Sequence, residues 1–337
     1  MNYNLSKNGQ IALFCEYNCY FYNEYQKLSQ IPGRLVNMLD YNQKIVNTIS
    51  LESSEIASFV TENDAFVDSK TVASFGEEWE KFDSFDDEEI TKIGNEYFDI
   101  VDPRILNKET VVLDLGCGSG RWSRYMSDKV KFIEAVDPSK AVVTAVKLNQ
   151  DLKNIRVTRA GVDNIPFADN SFDLIVCLGV LHHLPKTAEA LKKATEKLKP
   201  NGYFLLYLYY KLDNRSFFYK LFFWLSNSVR TIVSKLPSSL KHIVCEFLAV
   251  VVYLPLIFLA RLVKKIFPKK RYYKLLPLSY YLNKSFTIIR NDALDRFGTP
   301  LEQRFSKNEI EVMMKNAGFS EIKFSENEPY WHVLGRK

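Results

Sequence analysis

Cysteine is scarce in this chain, five residues in 337, which argues against a disulfide framework and against secretion. The N-terminus also lacks a charged-then-apolar signal pattern, so a reducing cytoplasm is the expected compartment. No metal site is expected: Cys15 and Cys19 stand without a second Cys or His pair, and a structural zinc takes four ligands. They read as two ordinary small hydrophobes. No internal repeat is visible. Acids are nearly missing from one segment, 211–281, where 13 Lys and Arg accompany only Asp213 and Glu246. The remainder holds 32 basic and 38 acidic residues, so the modest overall charge of +5 is the difference between a strongly basic segment and a mildly acidic body.

What is present is a composition for burial, 47% hydrophobic and 25% charged, enough for one large domain or two ordinary ones and incompatible with disorder or a fibrous architecture. Residues 1–70 carry short apolar runs such as 11–14 and aromatics between Tyr17 and Tyr25, and no function is assigned to them. Residues 69–93 read as a helical, acidic segment with Phe75, Trp79 and Phe82 on one stripe, packed against the next domain. From Glu109 the pattern is regular α/β. Strands are expected at 111–115, 131–136, 154–160, 172–178 and 203–209, with helices from Arg121, at 139–149 and at 188–198. A helix at 306–317 and strands at 321–325 and 330–335 complete the chain. Alternation of this kind implies a parallel sheet covered on both faces.

The first strand ends in Asp114-Leu-Gly116-Cys-Gly118-Ser-Gly120-Arg-Trp. Alternating glycines let the backbone turn tightly beneath a ligand, and the helix that opens next aims its amides into the same space. The next strand ends at Asp137, placed to accept from ribose hydroxyls, and Asp163 follows the third strand, within reach of an adenine amino group. Together with FIEAVDPS at 132–139, GVDNIPFADNSFDLIVCLGVLHHLP at 161–185 and LKPNGYFLLY at 198–207, this stretch resembles the Rossmann-like S-adenosylmethionine-dependent methyltransferases, near the ubiquinone and menaquinone branch. A dinucleotide-binding domain would carry G-x-G-x-x-G, whereas the spacing here is G-x-G-x-G.

The resemblance implies a doubly wound, seven-stranded, mainly parallel sheet whose last strand is antiparallel. It implies S-adenosyl-L-methionine as cofactor, with Gly116, Gly118 and Gly120 around its methionine part, Asp137 on the ribose, Asp163 on the adenine and Leu178 on the lip of strand four. Asp114 would hold the glycine loop or reach the cofactor's amino group. His183, and after it His182, is the candidate base for an oxygen acceptor, against a structural role in the strand-four loop. His332 reads as packed. Trp79 and Trp122 are candidates to cover the cofactor, against a place in the core. The endings at 291–306 and 328–337 resemble those of bacterial surface-glycan methyltransferases, which implies a sugar or lipid-linked acceptor with Asp292, Asp295 and Arg296 as hydroxyl or phosphate contacts, against an ordinary ion-paired loop.

The expected organisation is therefore an unassigned 1–70, the first part of the cofactor domain at 71–210, a helical insert at 211–285 and the completion of the domain at 286–337. In the insert, Phe218, Leu221, Phe222, Leu225, Val229, Ile232 and Val233 follow helical spacing. The uncharged run 247–260 has 14 residues, and 243–263 reaches 21 only by including Glu246 and Arg261, against the about 20 apolar residues of a spanning helix. Because strands of one sheet flank the insert, a single crossing would divide that sheet between two sides of a membrane. The insert is expected to lie on the anionic surface of the inner leaflet, with a cap on the acceptor pocket or a homodimer interface as alternatives. Nucleic acid is disfavoured by the unbroken aliphatic run. The functions weighed are O-methylation of a lipophilic or lipid-linked glycan, methylation of a soluble small molecule under a lid, and cofactor binding without chemistry.

Overall fold

Nine strands form one sheet among the residues that the computed structural model describes, which are 38–52, 54–61, 66, 68–81 and 86–337. The run 11–14, Cys15, Cys19 and Phe82, and the side chains of Trp79 and Phe218, lie outside the described residues. In chain order the strands are β1 Asn47–Ser50, β2 Glu55–Ser58, β3 Val111–Leu115, β4 Phe132–Asp137, β5 Ile155–Arg159, β6 Phe172–Leu178, β7 Leu198–Tyr207, β8 Glu321–Phe324 and β9 His332–Arg336. Their spatial order is β1-β2-β5-β4-β3-β6-β7-β9-β8. From β5 to β8 this is the doubly wound order expected, with β9 antiparallel to both β7 and β8.

The expectation of seven strands is corrected to nine. An antiparallel hairpin, β1 with β2, adds to the β5 edge through one parallel pair, Ser58 with Arg159. Each of its strands has four residues. Only Ile56 and Ser58 of them are buried, so there was little alternation to read.

The β3 core strand shows why the sequence folds this way. Leu113 and Leu115 point to one side, with Ile175, Phe204 and Leu206, while Val112 points to the other, with Ile133, Leu174 and Leu205. A strand buried on both faces reads as a continuous apolar run, which is the pattern at 111–115. The covering helices are α1 Ser69–Lys81, α2 Asp87–Tyr97, α3 Arg121–Ser127, α4 Ala141–Leu148 and α5 Thr187–Glu196, followed after β7 by α6 Phe217–Val233, α7 Ser238–Leu248, α8 Leu254–Ile266, α9 Phe286–Gly298 and α10 Lys307–Asn316. Asp86 caps α2 through Glu88 N, and Ser306 with Glu309 forms a capping box on α10.

α7 and α8 are one continuous helix of 29 residues, Ser238–Ile266, joined through a π-turn at Ala249–Tyr253. Pro255 explains the turn: it lacks an N–H and its ring crowds the preceding turn, and the wider π geometry absorbs both. One face of this helix, Cys245, Ala249, Tyr253, Ile257 and Ala260, packs in a cluster with Ile289, Ala293, Leu294 and Phe297 of α9, and Glu246 pairs with Arg290 at 2.6 Å. The acidic face of α2 holds the returning limb of the insert, with Lys284 2.7 Å from Glu96 and Tyr280 donating to the same carboxylate. At the root of the excursion the backbone closes on itself. Lys211 N donates to Phe305 O and Phe305 N to Tyr209 O, at 3.0 and 2.8 Å.

Candidate active site

The glycine loop adopts backbone conformations that demand its residue type. Gly116, Gly118 and Gly120 all have positive φ, +75°, +53° and +80°, and a Cβ on Gly116 would stand 2.4 Å from Val180. The loop is fixed from the neighbouring strand: Gly118 N donates to Asp137 Oδ2 at 3.0 Å, and Asp137 Oδ1 accepts from Ser139 N and Ser139 Oγ at 2.8 and 2.6 Å. Burial raises the Asp137 pKa and these three donors oppose the rise. Asp114 accepts from Ser123 Oγ at 2.6 Å and is pushed up to about 7 by burial. It ties the end of β3 to α3.

Above the loop opens a cavity of about 640 Å³, within the range of pockets that hold small ligands. Gly116, Gly118, Asp137 and Leu178 line it, as do Trp122 and His183. Asp114, Gly120, Asp163 and His182 are not among its lining residues; Gly120 has a packing role, since a Cβ there would meet the Asn149 side chain at 2.4 Å. Gly179 on the β6 lip, at φ +82°, has nothing within 4 Å of where a Cβ would stand, so it leaves room for a ligand beside the loop. The walls are aromatic: Tyr97 packs edge-on against Trp122 and Tyr207, each with centroids 5.2 Å apart, and Phe75 against His183 at 4.8 Å.

The two neighbouring histidines have different surroundings. His182 is fully buried, stacked 3.9 Å from Tyr209, and burial holds its pKa well below the ordinary value. It packs the strand-four loop. His183 Nδ1 lies 2.7 Å from Leu301 O, which fixes the proton on Nδ1 and leaves the Nε2 lone pair without a hydrogen-bond partner. Burial lowers its pKa also, with Asp295 opposing. His332 is buried, with Nε2 2.7 Å from Asp99 and Nδ1 2.8 Å from Pro329 O.

α9 brings the C-terminal candidates to the same cavity. Asp292 and Asp295, one turn apart, both line it. Tyr281 donates to Asp292, whose pKa is raised to about 6 chiefly by burial. Asp295 accepts from the Tyr209 hydroxyl and lies 3.9 Å from His183 Nε2. Arg296 also lines the cavity, but its guanidinium is held by Glu302 at 2.9 Å and lies over Phe223. The ion-paired reading therefore describes Arg296 better than a phosphate contact does. Glu302, whose side chain is 2% exposed, bridges Arg296 and Arg304. It was missed, as were the cavity-lining Tyr97, Tyr207 and Tyr209, which stand at the end of α2, at the end of β7 and two residues beyond it without a motif to mark them.

The profile of the methyltransferase-domain family matches residues 113–206, the span from β3 through the glycine loop to the end of β7. Among curated proteins, the tRNA U34 carboxymethyltransferase of Nautilia profundicola is 36% identical over 112 residues, 32% of this chain and 37% of that protein. The ubiquinone biosynthesis O-methyltransferase of Coxiella burnetii is 27% identical over 119 residues, 35% of this chain and 49% of that protein. The chain thus spans under half the length of these relatives. The structure of the YcgJ protein of Bacillus subtilis aligns at 18% identity with a TM-score of 0.42, over 68% of this chain and 70% of that one. With the glycine loop, the Asp137 turn and the family match all on the same span, residues 113–206 are a methyltransferase domain of the S-adenosylmethionine-dependent class.

Proposed function

We propose that the protein is an O-methyltransferase of a lipophilic or lipid-linked acceptor, a glycan hydroxyl being the member of that class its C-terminal residues favour. The observation that carries this reading is His183, a residue of the cavity wall whose buried Nε2 has no hydrogen-bond partner and lies 3.9 Å from Asp295. S-adenosylmethionine, when bound, supplies a methyl group on a sulfonium sulfur. Gly116 and Gly118 would hold its methionine part and Asp137 its ribose, while the aromatic wall of Tyr97, Trp122 and Tyr207 excludes water and suits a cation.

The chain's own work is to orient a hydroxyl and take its proton. An acceptor O–H would donate to His183 Nε2, which would take the proton as the methyl group passes from the donor sulfur to the oxygen, its bond to sulfur breaking to leave a neutral thioether. Asp295, 3.9 Å from the same nitrogen, would stabilise the resulting imidazolium by its charge. Because burial depresses the His183 pKa, the ring is neutral and able to accept at pH 7. Asp292, held by Tyr281, offers a second acceptor to a polyhydroxylated substrate. That one relative is named a ubiquinone biosynthesis O-methyltransferase supports oxygen methylation of a lipophilic acceptor.

The test is turnover of methyl-labelled S-adenosylmethionine with a membrane-lipid extract. Labelled lipid is expected from the wild type and none from His183→Ala, with cofactor binding by calorimetry equal in both. No cofactor binding by either protein sinks the reading.

A further inference from the structure

Of the exposed large hydrophobic residues among those described, all but Ile45, Val46 and Val312 lie between Phe217 and Phe286. They are ordered by the helices that carry them. On the helix Ser238–Ile266, Ile243, Phe247, Val250, Leu254, Phe258, Leu262 and Ile266 are exposed at steps of three and four, one unbroken face opposite the one that packs on α9. α6 adds Phe217, Leu221, Trp224, Leu225, Val229 and Ile232. Soluble monomers do not leave so extended an apolar face in water.

Charge says what covers it. Directly after the apolar face come Arg261, Lys264, Lys265, Lys269, Lys270, Arg271 and Lys274, all exposed, with no acid between them. Cations bordering an apolar helix face complement anionic headgroups around an acyl region. The helix is long and apolar enough to cross a bilayer, yet the middle of its other face, from Cys245 to Ala260, is packed on α9, which carries Arg290, Asp292, Asp295 and Arg296. A crossing orientation would carry those ionised groups to mid-bilayer depth. An orientation parallel to the surface buries one face in protein and the other in lipid.

We infer that α6 and the helix Ser238–Ile266 form a docking face for an anionic lipid bilayer, lying in the plane of one leaflet, and that the acceptor cavity opens onto it. Phe222, Val252 and Leu259 belong to both surfaces: each lines the cavity and each is exposed, at 63%, 39% and 43%. The wall of the cavity is thus continuous with the lipid-facing surface. An acceptor with a hydrocarbon anchor keeps the anchor in the leaflet while its hydroxyl reaches His183. The docking face stands on its own observations; only the identity of what enters rests on the methyltransferase reading.

The experiment uses the full chain with vesicles of phosphatidylcholine, with and without phosphatidylglycerol. The protein should float with the anionic vesicles, and vesicles brominated in mid-chain should quench the emission of Trp224, an effect absent in Trp224→Phe. Ile243→Glu with Phe258→Glu, neither in the cavity wall, should cut the vesicle-bound fraction by at least about tenfold while calorimetric S-adenosylmethionine affinity stays unchanged, which also reports that the variant is folded. A bimane attached through Val252→Cys should be quenched by the same brominated chains; if it stays bright while Trp224 is quenched, the opening onto lipid is overturned. Protein left in the buffer with both vesicles overturns the docking face, as does a dimer in sedimentation that the double variant dissociates without any vesicle uptake. Cofactor binding without flotation removes this inference and leaves the methyltransferase reading; flotation without cofactor binding does the reverse.

Discussion

His183 Nε2 and Asp295 Oδ1 are 3.9 Å apart, too far for a direct hydrogen bond and close enough for one to stabilise charge on the other. The imidazole proton is committed to Leu301 O on the far side of the ring, so the nitrogen beside Asp295 carries the lone pair. The ring stays neutral because it is buried.

Replacing His183 with Gln removes the base and keeps the size and polarity of the side chain. Methyl transfer should fall by about 10²- to 10⁴-fold in single-turnover kinetics, with cofactor affinity unchanged. Asp295→Asn should give a smaller loss of kcat. Equal loss of cofactor binding in either variant would assign the pair to the cofactor instead.

The acid side of the rate profile carries two groups. His183 works unprotonated and its pKa is lowered; Asp292 works ionised and sits near about 6. Activity should therefore be full at pH 7 and decline as pH falls through about 6. Asp292→Asn should move the decline to lower pH and raise KM for the acceptor. A decline centred above 7 would contradict both assignments.

Stability should also depend on pH. His182 and His183 have pKa values held below the ordinary one by burial, so below about 6.5 the unfolded chain binds protons that the native protein refuses. The histidines' contribution at neutral pH is lost on acidification, by up to about 1.4 kcal/mol per pH unit for each, while Asp114 and Asp292, with raised values, contribute in the opposite direction. Melting temperatures between pH 7.5 and 5 measure it, and His182→Phe should flatten the curve.

Glu302 should be costly to lose. Its carboxylate is 2% exposed and serves two guanidiniums, Arg296 at 2.9 Å and Arg304 at 2.8 Å. Glu302→Gln leaves two cations under α9 without their counter-charge, with an expected destabilisation of about 3–5 kcal/mol in urea unfolding.

In the glycine loop, Gly116→Ala places a Cβ 2.4 Å from Val180 at a φ of +75°. Strain and overlap together should cost about 1–3 kcal/mol, and cofactor binding should weaken along with stability.

The sheet was legible because its strands are apolar on both faces and its loops end in glycine or aspartate, so pattern and chemistry coincide from Val111 to Tyr207. The β1–β2 hairpin was not, since four-residue strands with two buried residues carry no period. Of the cofactor candidates, Gly116, Gly118, Asp137 and Leu178 meet at one cavity and Asp163 stands outside it. The helical stripe of α6 was legible as a stripe, but spacing does not say whether an apolar face turns inward, and Leu221, Phe222 and Leu225 turn outward. Least visible was the pairing of His183 with Asp295, which stand on either side of the whole insert in the chain. Their proximity follows from the chain just after α9, where Leu301 O meets His183 Nδ1 and Gln303 N donates to His182 O, and no local pattern encodes a packing of that range.

The backbone clasp at the root of the insert has a consequence for how the cavity is built. With Tyr209, Lys211 and Phe305 hydrogen-bonded at a single point, everything between them leaves and rejoins the sheet through one doorway. A change within that excursion would reshape the wall of the cavity that α6 to α9 build while the glycine loop and the Asp137 turn stay in place. The fold thus separates the end of the cavity built by the strand-end loops of the sheet from the end built by the insert.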